Sequence, residues 1–424
     1  MSLFVQIYRS VTKRKHTLQG LSFLSLSNIV TSFTGLFSVV VLANLLNSNE
    51  YGTYKYIFSV VGILSALSFT GGYRNMIIQS VAKGLDGVVQ HLYKINPLFN
   101  LPMIVGACLI SIYYLYKGNT TLGFSIPIVA IGYIFSSTLI ITYSYLNGRK
   151  EYKDLFFLQS AISVASVLLL TITVFVTKNI ALIFLSSVIG SGIMSTISYY
   201  YIKRSRLRNN TFHEKMLQYG KHLSIMNIGS TLLIHIDSFL IFSFLGSHEL
   251  ALYALATPFV DRIIGFFKTS YFFVLPKFTE MGPEKAALLL YKRSFMGLAV
   301  GLAVSGIYYL IAPTFFSIFF PKYIDSIQLS VLFSLSIPLV AFSTLPTAFV
   351  DSLIEIKIKY ILFAVNFVTR ITTLFLFIHT FGVAGVIISE LVSRVVTTIA
   401  LFYVIEKHLR DTRKKAKSVQ QLNP

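Results

Sequence analysis

The chain alternates between long apolar runs and short polar gaps. Each of twelve apolar runs is long enough to cross a bilayer as a helix, which takes about 20 residues. The gaps contain Gly, Pro, Asn and charged residues, and Pro258 inside the eighth run predicts a kink there. The predicted spans are residues 21–46, 53–81, 97–116, 122–146, 155–176, 180–202, 221–245, 249–277, 291–311, 328–352, 360–380 and 383–405. The pattern therefore predicts an all-α polytopic membrane protein with twelve transmembrane helices.

Composition agrees with a lipid environment. The 424 residues are 54% hydrophobic and only 12% charged, with a mean hydropathy of +0.71. Soluble domains carry about 25% charged residues. The single cysteine, Cys108, lies inside an apolar run, which excludes disulfide frameworks and cysteine-based zinc sites. The sequence also contains no nucleotide-binding or metalloprotease motif, so we expect no cofactor and no metal.

The basic residues predict the orientation of the chain. With a cytoplasmic N-terminus, the inner segments hold 27 of the 36 Lys and Arg residues, and the outer loops hold only Lys117, Lys178 and Lys322. Cytoplasmic loops of membrane proteins carry this excess, which predicts that both termini are cytoplasmic. The net charge of +20 does not indicate nucleic-acid binding, because the basic residues are spread over the gaps instead of forming one patch.

A weak internal repeat relates the two halves. Shifting the sequence by 199 residues aligns span one with span seven and gives eight identities over 31 positions, among them Asn28 with Asn227 and Glu50 with Glu249. An offset of six spans keeps both halves in the same orientation, which predicts parallel repeats. The predicted organisation is a six-helix lobe at 1–202, a basic cytoplasmic linker at 203–220, a second six-helix lobe at 221–405 and a basic cytoplasmic tail at 406–424.

Charged residues inside the spans are the candidate functional groups. Each costs about 3 kcal/mol on insertion scales, and such residues usually face a cavity or a partner. Six basic residues within or at the edge of the spans face four acids, so the interior has a cationic excess that suits an anion such as pyrophosphate. The candidate substrate-binding residues are Arg262, Arg370, Arg74, Lys268, Arg394, Asn28 and Asn227. The candidate ion-coupling residues are Asp237 and Glu390.

Structural alternatives exist for several of these residues. Arg74 lies near a span end, from where its side chain could reach the interface. Glu390 and Arg394 have the i, i+4 spacing of a helical ion pair. His235 is either a packing residue or a proton carrier, and the repeat-related asparagines also have a packing alternative. Arg370, in contrast, has no acidic residue within a turn of its own helix.

Three segments resemble one transporter family. Residues 42–54, which read LANLLNSNEYGTY, resemble the junction between helices one and two of Wzx-like O-antigen flippases. Ile-Asp-Ser at 236–238, Leu-Gly at 245–246 and Leu-Tyr-Ala-Leu-Ala at 252–256 are similar to the family's pattern in helices seven and eight. Phe-Gly-Val-Ala-Gly at 381–385 resembles its turn before helix twelve.

The resemblance implies the multidrug/oligosaccharidyl-lipid/polysaccharide (MOP) exporter fold, with two six-helix lobes around a central cavity. It implies a flippase that moves undecaprenyl-pyrophosphate-linked oligosaccharide across the bacterial inner membrane by alternating access, driven by a proton or sodium gradient. Its implied partners are membrane lipid, the lipid-linked oligosaccharide, a polysaccharide polymerase and a chain-length regulator.

Two other functions remain open at this point. A multidrug/toxin antiporter of the same superfamily would be expected to have acidic sites for organic cations, in contrast to the cationic interior here. An O-antigen polymerase, which is a membrane-embedded enzyme, would be expected to have a large outer loop rich in arginine. The predicted outer loops of this chain are short.

Overall fold

The computed structural model describes residues 2–280, 283–353 and 356–422, and within these residues it contains helices and no strand. Two short 3₁₀ turns, Ser65–Leu67 and Pro321–Tyr323, accompany the α-helices. The α-helices are α1 (Ser2–Leu45), α2 (Ser48–Leu64), α3 (Tyr73–Ala82), α4 (Gly87–Phe99), α5 (Leu101–Tyr116), α6 (Thr120–Gly148), α7 (Tyr152–Val176), α8 (Ile180–Ser205), α9 (Glu214–Met226), α10 (Ile228–Leu245), α11 (Ser247–Ala256), α12 (Pro258–Glu280), α13 (Pro283–Phe319), α14 (Ser326–Ser334), α15 (Ser336–Ser352) and α16 (Ile356–Leu422).

Local sequence signals explain several helix ends. Asn47 and Glu50 form a capping box at the start of α2, in which each side chain accepts the other residue's backbone N–H at 2.9 and 2.8 Å. The predicted kink is confirmed, since α11 ends at Ala256 and α12 begins at Pro258. Gly382 adopts φ 57° and ψ −135° inside α16, so it divides that helix into two segments.

The surface and the helix lengths identify a membrane protein. Among the residues that the structure describes, ten helical stretches are long and apolar enough to cross a membrane. Many large apolar side chains are exposed, which a water-soluble surface does not tolerate on this scale. The all-α polytopic fold is therefore confirmed. The count of twelve spans is consistent with these helices but stays a prediction, because the predicted second span consists of the shorter helices α2 and α3.

The helices separate into two compact units, Met1–Phe239 and Leu240–Pro424. The boundary lies inside α10, beyond the predicted linker, and the predicted lobe limits stay a prediction. In agreement with the proposed repeat, α2 begins at Ser48 and α11 begins at Ser247, which are 199 residues apart.

The predicted tail is helical as far as Leu422. The basic side chains before residue 22, Lys277, Lys285 and those after Arg410 lie outside the described side chains.

Each unit has its own apolar core. In unit 1, the core at the predicted cytoplasmic side packs α3, α4 and α6 around Tyr73, Met76, Leu92 and Tyr145. In unit 2, α12, α13, α15 and α16 pack around Phe349 and the residues close to it. None of the candidate substrate-binding or ion-coupling residues is among the described side chains of these two cores.

Part of the predicted linker is fixed to unit 1. The Asp86 carboxylate is fully buried, forms an ion pair with Arg149 and accepts the Arg208 backbone N–H at 3.0 Å. The Gly87 N–H donates to the Thr211 carbonyl at 2.9 Å. Burial lowers the pKa of Arg149, but hydrogen bonds to Asp86 and Tyr145 outweigh burial and leave the pKa raised. The segment after α8 is therefore bound to unit 1 by hydrogen bonds as far as residue 211.

Candidate functional site

The interruption between α2 and α3 places Arg74 at the start of α3. The Gly72 N–H donates to the Ser224 hydroxyl oxygen of α9 at 2.8 Å. A Cβ atom on Gly72 would overlap the Gly220 carbonyl oxygen, so α9 reaches this interruption only because residue 72 is glycine. The Ser224 hydroxyl also lies 2.9 Å from the Phe69 carbonyl oxygen. Helix α9 therefore contacts and stabilises the interruption that precedes Arg74.

Arg74 lines a polar cavity of about 320 Å³ within unit 1, which we call the Arg74 cavity. The same space is lined by Asn28 of α1, by Tyr143 and Asn147 of α6, and by Gln159 of α7. Arg74 is exposed and forms no ion pair with any residue of the described part of the chain. The structure therefore brings together two of the predicted site residues, Arg74 and Asn28, although they lie on different helices.

The Arg74 cavity has the chemistry of an anion site. The Gln159 Oε1 atom accepts a hydrogen bond from Ser27 at 2.9 Å, which leaves the amide NH₂ of Gln159 to donate. None of the described residues that line the cavity carries a carboxylate. Arg74 is the second residue of α3, the helix end at which the helix dipole is positive. A guanidinium surrounded by amide and hydroxyl donors suits a phosphate group, which accepts several hydrogen bonds at once.

Asn227, the repeat partner of Asn28, has a different environment. It lies between α9 and α10, and its amide nitrogen donates to the Gly71 carbonyl at 3.2 Å. This bond, together with the Ser224 bonds, ties the α9–α10 junction to the break before α3. The observed contact of Asn227 is therefore structural, and its predicted role in substrate binding stays a prediction.

Several of the other candidates form a charge cluster in unit 2. Arg370 comes from the first segment of α16, whereas Glu390 and Arg394 come from the segment after Gly382. The predicted i, i+4 ion pair is confirmed, with Arg394 Nη2 at 2.5 Å from Glu390 Oε1. Glu390 Oε2 also lies 3.8 Å from Arg370 Nη2. Arg370 is only 5% exposed and donates to the Val386 carbonyl at 2.9 Å.

Helix α12 contributes the remaining charges of this cluster. Asp261 interacts electrostatically with Glu390, Arg394, Lys268 and Arg262, and Lys268 interacts with Arg394 and Glu390. Asp261, Arg262 and Lys268 are all exposed. We call Asp261, Arg262, Lys268, Arg370, Glu390 and Arg394 the unit 2 charge cluster. Its members carry both signs, so it differs from the Arg74 cavity, which contains only a positive charge.

The buried carboxylate Asp237 lies on α10 with 7% exposure. Sequence reasoning selected it because a carboxylate at that depth is costly without a role or a partner. Asp237 interacts with at least one other residue of the protein. Its predicted function in ion coupling stays a prediction.

Three neutral residues of the Arg74 cavity, Tyr143, Asn147 and Gln159, were not predicted from the sequence, unlike Asn28. Asn147 was assigned to a polar gap, and Tyr143 and Gln159 lie within apolar runs that contain many such residues. Nothing in the spacing connects them with Arg74, because they come from α6 and α7 and meet α3 only through helix packing. The Arg370–Glu390 contact was missed for the same reason, since it crosses between two helical segments.

Comparison with known proteins gives a family match and two structural relatives of note. Residues 17–281 match the sequence model of the family described as "Polysaccharide biosynthesis protein". No curated protein matches the sequence.

The fold is similar to solved structures of membrane transport proteins. An inward-facing multidrug resistance MATE family transporter of the MOP superfamily superposes with a TM-score of 0.72 at 14% identity, covering 93% of this chain and 99% of that one. The lipid II flippase MurJ in an inward closed conformation gives 0.69 at 15% identity, with 91% of this chain and 87% of that one covered. At these identities the likeness concerns the fold alone.

Proposed function

The chain belongs to the polysaccharide biosynthesis protein family, and on that basis we propose that it flips undecaprenyl-pyrophosphate-linked oligosaccharide across the bacterial inner membrane. The Arg74 cavity is the observation that carries this proposal. Moving a pyrophosphate through a low-dielectric interior is prohibitive without a positive counter-charge. Arg74 supplies one without a competing carboxylate in the cavity, and the neighbouring amides supply further donors.

Alternating access between the two units is the mechanism that suits this substrate. We propose that the pyrophosphate first binds at Arg74 and that the unit 2 charge cluster, with Arg262 and Lys268 exposed, contacts it at a later stage. Arg370 stays a predicted substrate-binding residue, and we propose that it contributes less than Arg74, because its guanidinium lies 3.8 Å from Glu390 and donates to the Val386 carbonyl. Asp237, and less strongly Glu390, are the proposed sites at which a proton or sodium ion drives the cycle.

The alternatives considered from the sequence fit less well. The similarity of the fold to solved structures of a transporter and a flippase supports a transport function over the O-antigen polymerase. An antiporter for organic cations would need a carboxylate without nearby cations, whereas Glu390 is held by two arginines and the exposed Asp261 lies near Arg394, Lys268 and Arg262. The fold alone does not distinguish an antiporter from a flippase, so a transport assay is needed.

A reconstituted flipping assay tests the proposed function. Purified protein in liposomes should expose the sugar of an undecaprenyl-pyrophosphate-linked oligosaccharide to a membrane-impermeant lectin, and it should not export ethidium. Export of ethidium without movement of the lipid-linked sugar would favour the antiporter.

The same liposomes test ion coupling. An imposed proton or sodium gradient should accelerate flipping by the wild-type protein and not by Asp237→Asn, at equal amounts of inserted protein. If Asp237→Asn responds to the gradient like the wild type, Asp237 has a structural role.

The charge distribution also predicts the orientation. Reporter fusions at Lys117, Lys178 and Lys322 should be periplasmic, and fusions near Arg149 and Arg206 should be cytoplasmic, because basic residues accumulate on the cytoplasmic side. A cytoplasmic reporter at Lys178 together with a periplasmic one at Arg206 would contradict the predicted orientation of unit 1.

A further inference from the structure

Unit 1 contains a second cavity, which differs from the Arg74 cavity in its chemistry. It has a volume of about 510 Å³ and lies between α2, α6, α8 and α10. Small-molecule sites commonly measure about 300–1,000 Å³. None of its lining residues is Asp, Glu, Lys or Arg, but Ser, Thr, Tyr and His side chains line it on all four helices or at their ends. We call it the hydroxyl cavity.

Two glycines shape the hydroxyl cavity. A Cβ atom on Gly62 of α2 would overlap the imidazole ring of His235 on α10, so the ring lies across the Gly62 backbone. A Cβ atom on Gly132 of α6 would overlap the Val188 side chain of α8. These close approaches bring His235 and the α8 side chains around a common space. Among the described residues, His235 has no hydrogen-bond partner, so its ring nitrogens can bond to a ligand.

The hydroxyl groups of this cavity are arranged mainly as acceptors. Ser65, Ser136, Ser191 and Thr231 each donate their proton to a carbonyl of the preceding helical turn, at 2.6, 3.2, 3.0 and 2.9 Å respectively. A hydroxyl has one proton and two lone pairs, so these four oxygens are left to accept hydrogen bonds from a ligand. A ligand that offers several O–H or N–H donors matches this lining.

The hydroxyl cavity also contains hydrogen-bond donors and aromatic rings. Within the described part of the chain, the Tyr133 and Ser187 hydroxyls have no hydrogen-bond partner and can therefore donate. Phe58 and Phe184 form an edge-to-face pair with ring centroids 5.3 Å apart, and Phe184 stacks on Tyr54 at 4.7 Å. These contacts hold the aromatic rings in place, where they can pack against the C–H face of a ligand.

The lining selects among ligand classes. A pyrophosphate or an organic cation would lack a counter-charge, because none of the described side chains that line the cavity is Asp, Glu, Lys or Arg. A hydrocarbon chain would leave the acceptor oxygens and His235 without partners. A sugar ring has hydroxyl donors at its edge and an apolar C–H face. We propose that the hydroxyl cavity binds an uncharged sugar ring of the lipid-linked oligosaccharide, an inference that rests on the proposed function.

Protection of introduced cysteines tests this assignment without a transport measurement. Cys108→Ala removes the single native cysteine, and Ser187→Cys or Ser191→Cys then places one thiol in the hydroxyl cavity. Ser144→Cys, made on the same background, places a thiol in the Arg74 cavity. The rate of modification by a methanethiosulfonate reagent is measured in reconstituted protein with the methyl glycosides of glucose, galactose and N-acetylglucosamine, with inorganic pyrophosphate, or with farnesol.

At least one methyl glycoside should slow modification of the two hydroxyl-cavity thiols and not that of Ser144→Cys. Tyr133→Phe should raise the concentration of glycoside needed for half-protection about tenfold, as expected for the loss of one hydrogen bond to the ligand. Tyr200→Phe, an exposed tyrosine of α8, is the matched control and should leave that concentration unchanged.

Two outcomes would overturn the assignment. Protection of the hydroxyl-cavity thiols by farnesol and by no glycoside would make the space a hydrocarbon site. Absence of protection by every glycoside would remove the sugar site. Pyrophosphate protection of Ser144→Cys reports separately on the proposed anion site, so a failed sugar site and a failed proposed function give different results.

Discussion

Replacing Arg74 by alanine should abolish surface polysaccharide while leaving the protein inserted in the membrane. Arg74 is exposed in its cavity and forms no ion pair within the described part of the chain, so its removal leaves no buried charge without a partner. A charge-assisted hydrogen bond contributes about 1.5–3 kcal/mol, and losing one interaction of this size should weaken pyrophosphate binding about 10- to 150-fold. Export in a strain that lacks the native gene, with protein abundance measured in parallel, gives the result.

Two further variants test whether the effect depends on the guanidinium and on its position in the Arg74 cavity. Arg74→Lys should restore export in part, because it keeps the charge but loses the bidentate geometry of the guanidinium. Arg204→Ala removes an exposed arginine at the end of α8, outside the Arg74 cavity, and should leave export unchanged. Wild-type export by Arg74→Ala would mean that Arg74 only reaches the membrane interface, which is the alternative that its position near a span end left open.

The parts of the fold that depend on local sequence could be predicted. Apolar runs gave the spans because a bilayer requires about 20 apolar residues per helix. Pro258 ends one helix and starts the next because proline lacks an N–H and disfavours helix in the residue before it. The turn at Gly382 was expected from its sequence motif, and its positive φ explains why a glycine lies there.

The parts that depend on contacts between distant segments could not be predicted. Helical spacing revealed the Glu390–Arg394 pair, but the contact of Arg370 with Glu390 joins two segments on either side of Gly382. Asp86 was one acid in a polar gap, and only the fold brings Arg149 and the Arg208 backbone to it. Pairing and cavity formation of this kind depend on helix packing, for which a single sequence contains no direct signal.

Removing the carboxylate of Glu390 should strongly destabilise the protein. Glu390→Gln would remove the carboxylate charge that lies 3.8 Å from the Arg370 guanidinium, which is 5% exposed, and that also pairs with Arg394. Breaking a buried ion pair by removing one partner costs about 3–5 kcal/mol, mostly because the remaining charge stays buried. We expect a loss of this order in the free energy of unfolding, measured by SDS titration of the purified protein in detergent. Lys357→Gln, an exposed charge at the start of α16, is the control and should have little effect.

A double substitution then distinguishes a structural Arg370 from one that binds substrate. Arg370→Met replaces the charged side chain by an unbranched apolar one, so the pair Arg370→Met and Glu390→Gln should recover most of the stability lost in Glu390→Gln alone. If Arg370 only neutralises Glu390, the stable double variant should also export polysaccharide, although any gradient response that depends on Glu390 will be lost. A double variant that is stable and inserted but exports less polysaccharide than Glu390→Gln alone would instead return Arg370 to the pyrophosphate path, together with Arg262, because both variants lack Glu390 and differ only at Arg370. Stability and export measured on the same two variants therefore decide whether the buried arginine supports the fold or the substrate.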